Sequence, residues 1–170
     1  KVVYLRFITF DHIFNTPILI VVNKSQSFME IKWVDTHCHL QLLNKNLDEN
    51  HFKNIEFLVI PGVDVESSSK AKEISSSLEV ESYWSAGLHP HDAKLLDTQR
   101  HDLEKLFVEA DLIGETGLDF YRNLSTKEEQ RENFLFHLEF SKQLNKPIII
   151  HCRDSFQDTY DLLVEFNNPS

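Results

Sequence analysis

The chain carries Asp35-Thr36-His37-Cys38-His39-Leu40 where an apolar run, residues 31–34, ends. Side chains alternate faces along a strand, so on a strand running through this stretch His37 and His39 share a face with Asp35, and Cys38 takes the opposite one. Two imidazoles then converge on one point. Neutral imidazole is the commonest protein metal ligand, and a pair on one strand face is half of a ligand shell before any other segment contributes. The competing reading is a pair of satisfied, partly buried rings, and His-x-His alone leaves both open. Further ionisable residues recur at similar places: His89 in Gly87-Leu88-His89-Pro90-His91, Glu115 in Gly114-Glu115-Thr116-Gly117, and His151 in His151-Cys152-Arg153-Asp154. A glutamate in a core strand is costly without a cation or a hydrogen-bond partner, which favours a ligand role for Glu115. An imidazole and carboxylate shell suits Mg²⁺, Mn²⁺ or Zn²⁺ and does not choose among them. Two such ions about 4 Å apart lower the pKa of a water and stabilise attacking and leaving oxygens at phosphorus. The histidines bind only when neutral, so occupancy should fall at acid pH.

The elements that must position these residues alternate between strand and helix. Strands are expected over 32–39, 55–60, 82–86, 112–113 and 148–150, with a short polar connection over 44–54 that has room for a turn or two of helix. Helices are expected over 67–78, 98–109, a segment opened by a Ser125/Glu128 capping box and ended by Asn145 and Pro147, and 155–166. Leu103, Leu106 and Phe107 face inward on the second of these, Phe134, Leu135, Leu138 and Leu144 on the third, and Phe156, Tyr160 and Leu163 on the last. Repeated strand–helix units indicate an α/β fold with a parallel sheet. The ionisable residues fall at strand carboxyl ends, on four different strands, which favours a TIM (β/α)8-type barrel over an open sheet. A complete barrel needs eight units, so about five βα units make an incomplete one.

At 170 residues and 41% hydrophobic content the chain is long enough for one buried core. Two cysteines, Cys38 and Cys152, are too few for a disulfide framework and suggest a reducing compartment, the cytoplasm. A net charge of −10 argues against an extended nucleic-acid coat but is compatible with a small site in which bound cations supply positive charge. The sole methionine, Met29, is read as the native start, with residues 1–28 an extension that is poorly ordered or loosely packed. Its apolar runs are short and interrupted, so no membrane span is expected, and a signal peptide is the weaker alternative.

Four stretches together resemble the TatD family of metal-dependent deoxyribonucleases: Asp35 to Leu40, Gly87 to His91, Ile-Gly-Glu-Thr-Gly-Leu-Asp-Phe at 113–120, and Pro-Ile-Ile-Ile-His-Cys-Arg-Asp at 147–154. The likeness runs over 29–170 and leaves 1–28 outside. It implies that His37 and His39 hold one divalent ion, that Glu115 bridges two and serves catalysis, and that His151 holds the second. It implies a DNA substrate, attacked at strand ends; no partner-binding helix, coiled coil or repeat stands out in the sequence, so no protein partner is expected. The family completes its site with a later histidine and an aspartate, both expected beyond Ser170, so activity of the chain as given is expected to be impaired.

Around this centre, His89 is read as a substrate contact, with a plain turn histidine as its competitor. Arg153 offers a planar fork that suits phosphate, and equally a structural pair with Asp154 or Asp119. His91 is placed outside the site, and His12, His51, His101 and His137 are given no chemistry. Two other functions compete with the nuclease. A related amidohydrolase or phosphotriesterase-type barrel would carry a carboxylated lysine at the end of the fourth strand, where Glu115 stands. An inactive truncated fragment would expose unpaired edges on its first and fifth strands.

Overall fold

The computed structural model describes residues 19–21, 32–43 and 49–167. The expected start at Met29, His12 and most of the 1–28 extension lie outside the described residues. Six strands form one sheet in sequence order: β1 (Leu19–Val21), β2 (Lys32–Asp35), β3 (Ile55–Pro61), β4 (Glu81–Ala86), β5 (Leu112–Asp119) and β6 (Ile148–Arg153). Strands β2 to β6 run parallel, while β1 pairs antiparallel with β2, so the outer edge of β2 is occupied along residues 32–34. The helices α1 (Val65–Ser77), α2 (Leu96–Glu109), α3 (Lys127–Leu144) and α4 (Phe156–Asn167) follow β3, β4, β5 and β6 in turn. The result is an incomplete (β/α)8-type barrel, five parallel strands with their helices on one side.

Two apolar clusters join helices to sheet. Leu58 and Ile60 of β3, Ala86 of β4 and Ile113 of β5 pack with Leu103 and Phe107 of α2 and Phe136 of α3. Leu118 of β5 packs with Phe134 and Leu138 of α3 and Leu162 of α4. The apolar side chains of these strands form the face that the helices cover.

Four local expectations are corrected. Strand β2 ends at Asp35, so His37 and His39 lie in the loop beyond it. Strand β5 extends to Asp119 instead of stopping at Ile113, because Thr116 to Asp119 keep pairing with Ile150 to Arg153. Its two glycines hide that pairing from a hydrophobic pattern. The capping box of α3 is Thr126 with Glu129, each side chain bonded to the other's backbone N–H, one residue later than expected. Ser125 fits the same pattern, but its buried hydroxyl donates to His91 O and accepts from Lys94 N. On α4 the buried positions are Thr159 and Leu162, with Leu163, as expected, and Phe166 also against the core, while Phe156 and Tyr160 stack on each other on the outer face. Among the described residues no helix is long and apolar enough to cross a membrane.

A buried polar pair on α3 holds the end of β4. Asn133 and His137 are one turn apart and fully buried. Leu88 N–H donates to His137 Nε2 at 3.0 Å, and Asn133 Nδ2 donates to Leu88 O at 2.7 Å. His137 Nδ1–H donates to Asn133 O at 2.8 Å, so the ring is neutral and its Nε2 lone pair is in use. Burial pushes its pKa down to about 4, only partly opposed by the bond to Asn133. A histidine that is harder to protonate folded than unfolded stabilises fully above the unfolded pKa, near 6.5, and loses that contribution as pH falls toward 4. Urea denaturation in chelator is therefore expected to lose on the order of 3 kcal/mol from this group between those pH values. The slope should flatten in His137→Phe. A His137 imidazole that titrates near 6.5 by NMR in the folded chain would contradict the assignment.

Candidate metal centre

The loop after β2 is tied to β3. Cys38 N–H and its thiol both donate to Val59 O, at 3.0 and 3.1 Å, which turns Cys38 toward the core. Burial first, and then the charge of Asp35, pushes that thiol up to about 12, so it stays protonated. Asp35 accepts from His37 N–H at 3.1 Å, which uses its carboxylate to shape the loop. His39 Nδ1 lies 3.1 Å from Pro61 O. A carbonyl only accepts, so Nδ1 carries the proton and the Nε2 lone pair faces inward. The rings of His37 and His39 converge as expected, with Nε2 atoms 3.1 Å apart, but loop bonds to β3 aim them and strand alternation does not.

Glu115 stands at the middle of the cluster, 7% exposed. Its Oε2 lies 3.3 Å from His37 Nε2 and 3.5 Å from His39 Nε2. Its Oε1 lies 3.2 Å from His151 Nδ1. Strand β5 delivers Glu115 and, four residues on and therefore on the same face, Asp119. Asp119 Oδ2 lies 3.1 Å from His151 Nε2 and 2.7 Å from His91 Nε2. Both rings donate to this carboxylate, and His151 Nδ1 is left to face Glu115.

The donor set suits a cation. His39 Nε2, by its tautomer, turns a lone pair on Glu115, and so does His151 Nδ1 once Asp119 takes the proton at Nε2. Acceptors at such separations repel unless protons or a cation lie between them. Burial alone would raise the Glu115 carboxyl, yet the His151, His37 and His39 rings around it outweigh that and hold it well below its ordinary value. Two groups of three potential ligands share this one carboxylate: His37, His39 and Glu115, and His89, Glu115 and His151, with the ligand atoms of each group within 4.8 Å of one another.

His89 sits deeper than an ordinary turn residue. Its Nε2 is 3.2 Å from His151 Nδ1, and its Nδ1 accepts from His91 N–H at 3.2 Å. An Nδ1 that accepts carries no proton, so in the neutral ring Nε2–H is a donor aimed at the centre. Burial first, with His151 and His91 adding, pushes its pKa down to about 3 against the pull of Glu115 and Asp119. The ring stays neutral in ordinary buffers.

The centre opens into a cleft of about 440 Å³ whose walls include His91, Arg122 and Arg153. Three residues there differ from expectation or escaped it. His91, placed outside the site, lines the cleft and bonds Asp119. Arg153 makes no pair with Asp154 or Asp119; its guanidinium lies 4.0 Å above the Tyr121 ring. Asp119 is expected only as a motif residue and a possible partner of Arg153, although its spacing of four from Glu115 on a strand is the signal that places it on the site face. Burial would raise the Asp119 carboxyl, but the Arg122 N–H and the His91 and His151 rings outweigh it and hold it at about 2. It accepts hydrogen bonds and carries no proton.

Residues 34–170 match the model of the family described as TatD related DNase. An uncharacterized metal-dependent hydrolase of Buchnera aphidicola is 32% identical over 155 residues, covering 79% of this chain and 57% of that protein. The 3'-5' ssDNA/RNA exonuclease TatD of Escherichia coli is 36% identical over 110 residues, covering 62% of this chain and 42% of that protein. The chain spans about half the length of the curated relatives it matches. Among solved structures, the TatD homologue YJJV of Escherichia coli superposes with a TM-score of 0.70 at 21% identity, over 80% of this chain and 56% of that one.

Proposed function

The chain belongs to the TatD related DNase family, whose relatives are metal-dependent hydrolases, and from that membership we propose that its centre hydrolyses phosphodiester bonds at the ends of DNA strands. The observation that carries the reading is the division of Glu115: one oxygen faces His37 and His39, the other faces His151. A carboxylate shared in this way suits a pair of divalent ions, Mg²⁺, Mn²⁺ or Zn²⁺, held by His37, His39 and Glu115 on one side and by Glu115 and His151 on the other. Such ions supply Lewis acidity at the phosphoryl oxygens and lower the pKa of water.

The residues of the chain prepare that chemistry. Pro61 O sets the His39 tautomer, and Asp119 holds the proton of His151 at Nε2, so both rings keep a lone pair for the ligand position. His89, neutral and with Nε2–H pointing inward, donates a hydrogen bond to a phosphoryl oxygen. This gives it the substrate contact that its place after Leu88 suggested, and its tautomer argues against a ligand role despite its proximity to Glu115. Arg153, its guanidinium unpaired and facing the cleft, takes a phosphate. The free thiols of Cys38 and Cys152 suit a reducing compartment such as the cytoplasm.

Mn²⁺-dependent hydrolysis of a 3′-labelled single-stranded DNA oligonucleotide tests the proposal. Cleavage is expected to release the 3′ label as a mononucleotide, to stop in chelator, and to return with added Mn²⁺. Undiminished cleavage in chelator, or none with Mn²⁺, overturns it.

A further inference from the structure

Beyond the centre itself, β5 ends in a short arm that no catalytic role uses. Asp119 Oδ1 accepts from Tyr121 N–H and Arg122 N–H, each at 3.0 Å, while its Oδ2 holds His91 and His151. Gln130 of α3 closes the other side, accepting from Asp119 N–H at 2.7 Å and donating to Asp119 O and Ser125 O. One buried carboxylate thus fixes both a candidate metal ligand and the backbone of the arm. The arm is a rigid extension of the centre.

The side chains it presents are unusual for a chain of net charge −10. Arg122 lines the cleft beside Arg153. Among the described residues neither guanidinium has a carboxylate partner. Arg153 is held by stacking on Tyr121, at 4.0 Å from the ring centroid, and Tyr121 itself is 61% exposed. An exposed tyrosine on a pinned backbone, with a guanidinium against its ring, loses little freedom on binding. Planar forks that have no internal anion suit phosphate oxygens, and an exposed aromatic ring suits a nucleobase whatever its identity.

We propose that Arg122, Tyr121 and Arg153 form a nucleotide-holding arm of the cleft, in which the two guanidinia grip backbone phosphate of a single-stranded nucleic acid and Tyr121 stacks a base. This rests on reading the centre as a phosphodiesterase, and it adds the elements that draw the strand into it. Because stacking tolerates every base, the arm confers no sequence preference. Because its backbone is tied to Asp119, the gripped phosphate is held in a constant relation to His151.

Binding of a fluorescent single-stranded oligonucleotide, followed by anisotropy in EDTA at low ionic strength, isolates the arm from hydrolysis. Arg122→Ala and Arg153→Ala are each expected to weaken binding about tenfold and to lower the salt slope by about one. Tyr121→Leu should weaken binding by a similar factor, with Tyr121→Phe retaining wild-type affinity. On an abasic oligonucleotide of equal length the Tyr121→Leu effect should vanish and the Arg122→Ala effect persist, which separates a nucleotide site from a site for phosphate alone. No binding by the wild type, or an unchanged affinity and salt slope in Arg122→Ala, overturns the arm. If the variants weaken binding as stated while Mn²⁺ elicits no hydrolysis, the phosphodiesterase reading fails and the arm stands as a binding site.

Discussion

Replacement of Glu115 by glutamine is expected to lower Mn²⁺ affinity by ~100-fold or more and to remove the metal's stabilisation of the fold. Among the described residues Glu115 is the one side chain shared by both groups of potential ligands, so its loss weakens both. Stripping one member from a buried charged set costs about 3 to 5 kcal/mol, which is upward of a hundredfold in binding. Glutamine keeps the shape, and its amide can donate to an imidazole lone pair, so the metal-free variant should fold as well as the wild type or better. With Mn²⁺ at 100 times its dissociation constant the wild type gains about 2.7 kcal/mol, and Glu115→Gln should gain almost nothing. Calorimetric titration and urea denaturation with and without Mn²⁺ check both statements. Affinity within threefold of wild type would remove Glu115 from the centre.

The second large effect is expected at Gly117, which lies beside the His151 backbone in the β5–β6 register. A Cβ there would sit 2.0 Å from His151 O and 3.0 Å from its C and N, and the residue has φ of +136°. Backbone cannot rotate away as a side-chain tip can, and an L side chain is strained at that φ whatever the space. Gly117→Ala is therefore expected to cost upward of ~4 kcal/mol, among the larger single-substitution effects, and to displace the strand that carries His151. Loss of cooperative urea unfolding, or a large drop in midpoint, is the expected observation. Unfolding within about 1 kcal/mol of wild type would mean that β5 and β6 are more loosely paired than their register indicates.

Both predictions concern a strand that the sequence revealed only in part. The run at 112–113 is apolar and legible as a strand, but Gly-Glu-Thr-Gly after it has neither alternation nor apolar continuity. What keeps β5 extended to Asp119 is its pairing with β6, more than thirty residues away. The same holds for α3. Ser125 and Thr126 both satisfy the capping spacing, and the choice fell to Thr126 because the Ser125 hydroxyl is bonded to the loop that follows β4. On α4, helical spacing placed Phe156, Tyr160 and Leu163 together, yet of these only Leu163 packs against the core, with Thr159, Leu162 and Phe166. Apolar periodicity identifies a helix more securely than it identifies which side of it will be covered.

The candidate site divides along the same line. His37, His39, His89, Glu115 and His151 were legible because each chemically distinctive residue closes a strand-like run, and parallel α/β folds gather strand carboxyl ends at one face. Covalent sequence and short-range periodicity therefore determined the fold class, the residue types of the centre and the order in which strands deliver them. Only the tertiary structure decided the rest: that Glu115 gives one oxygen to each histidine group, that Pro61 O and Asp119 select the tautomers of His39 and His151, and that His91 lines the cleft and bonds Asp119. It also decided that Arg153 stacks on Tyr121 instead of pairing with an aspartate. Each of these is a contact between groups whose distance depends on strand register and shared burial. Those quantities arise from the whole sheet, so no local window of the chain contains them.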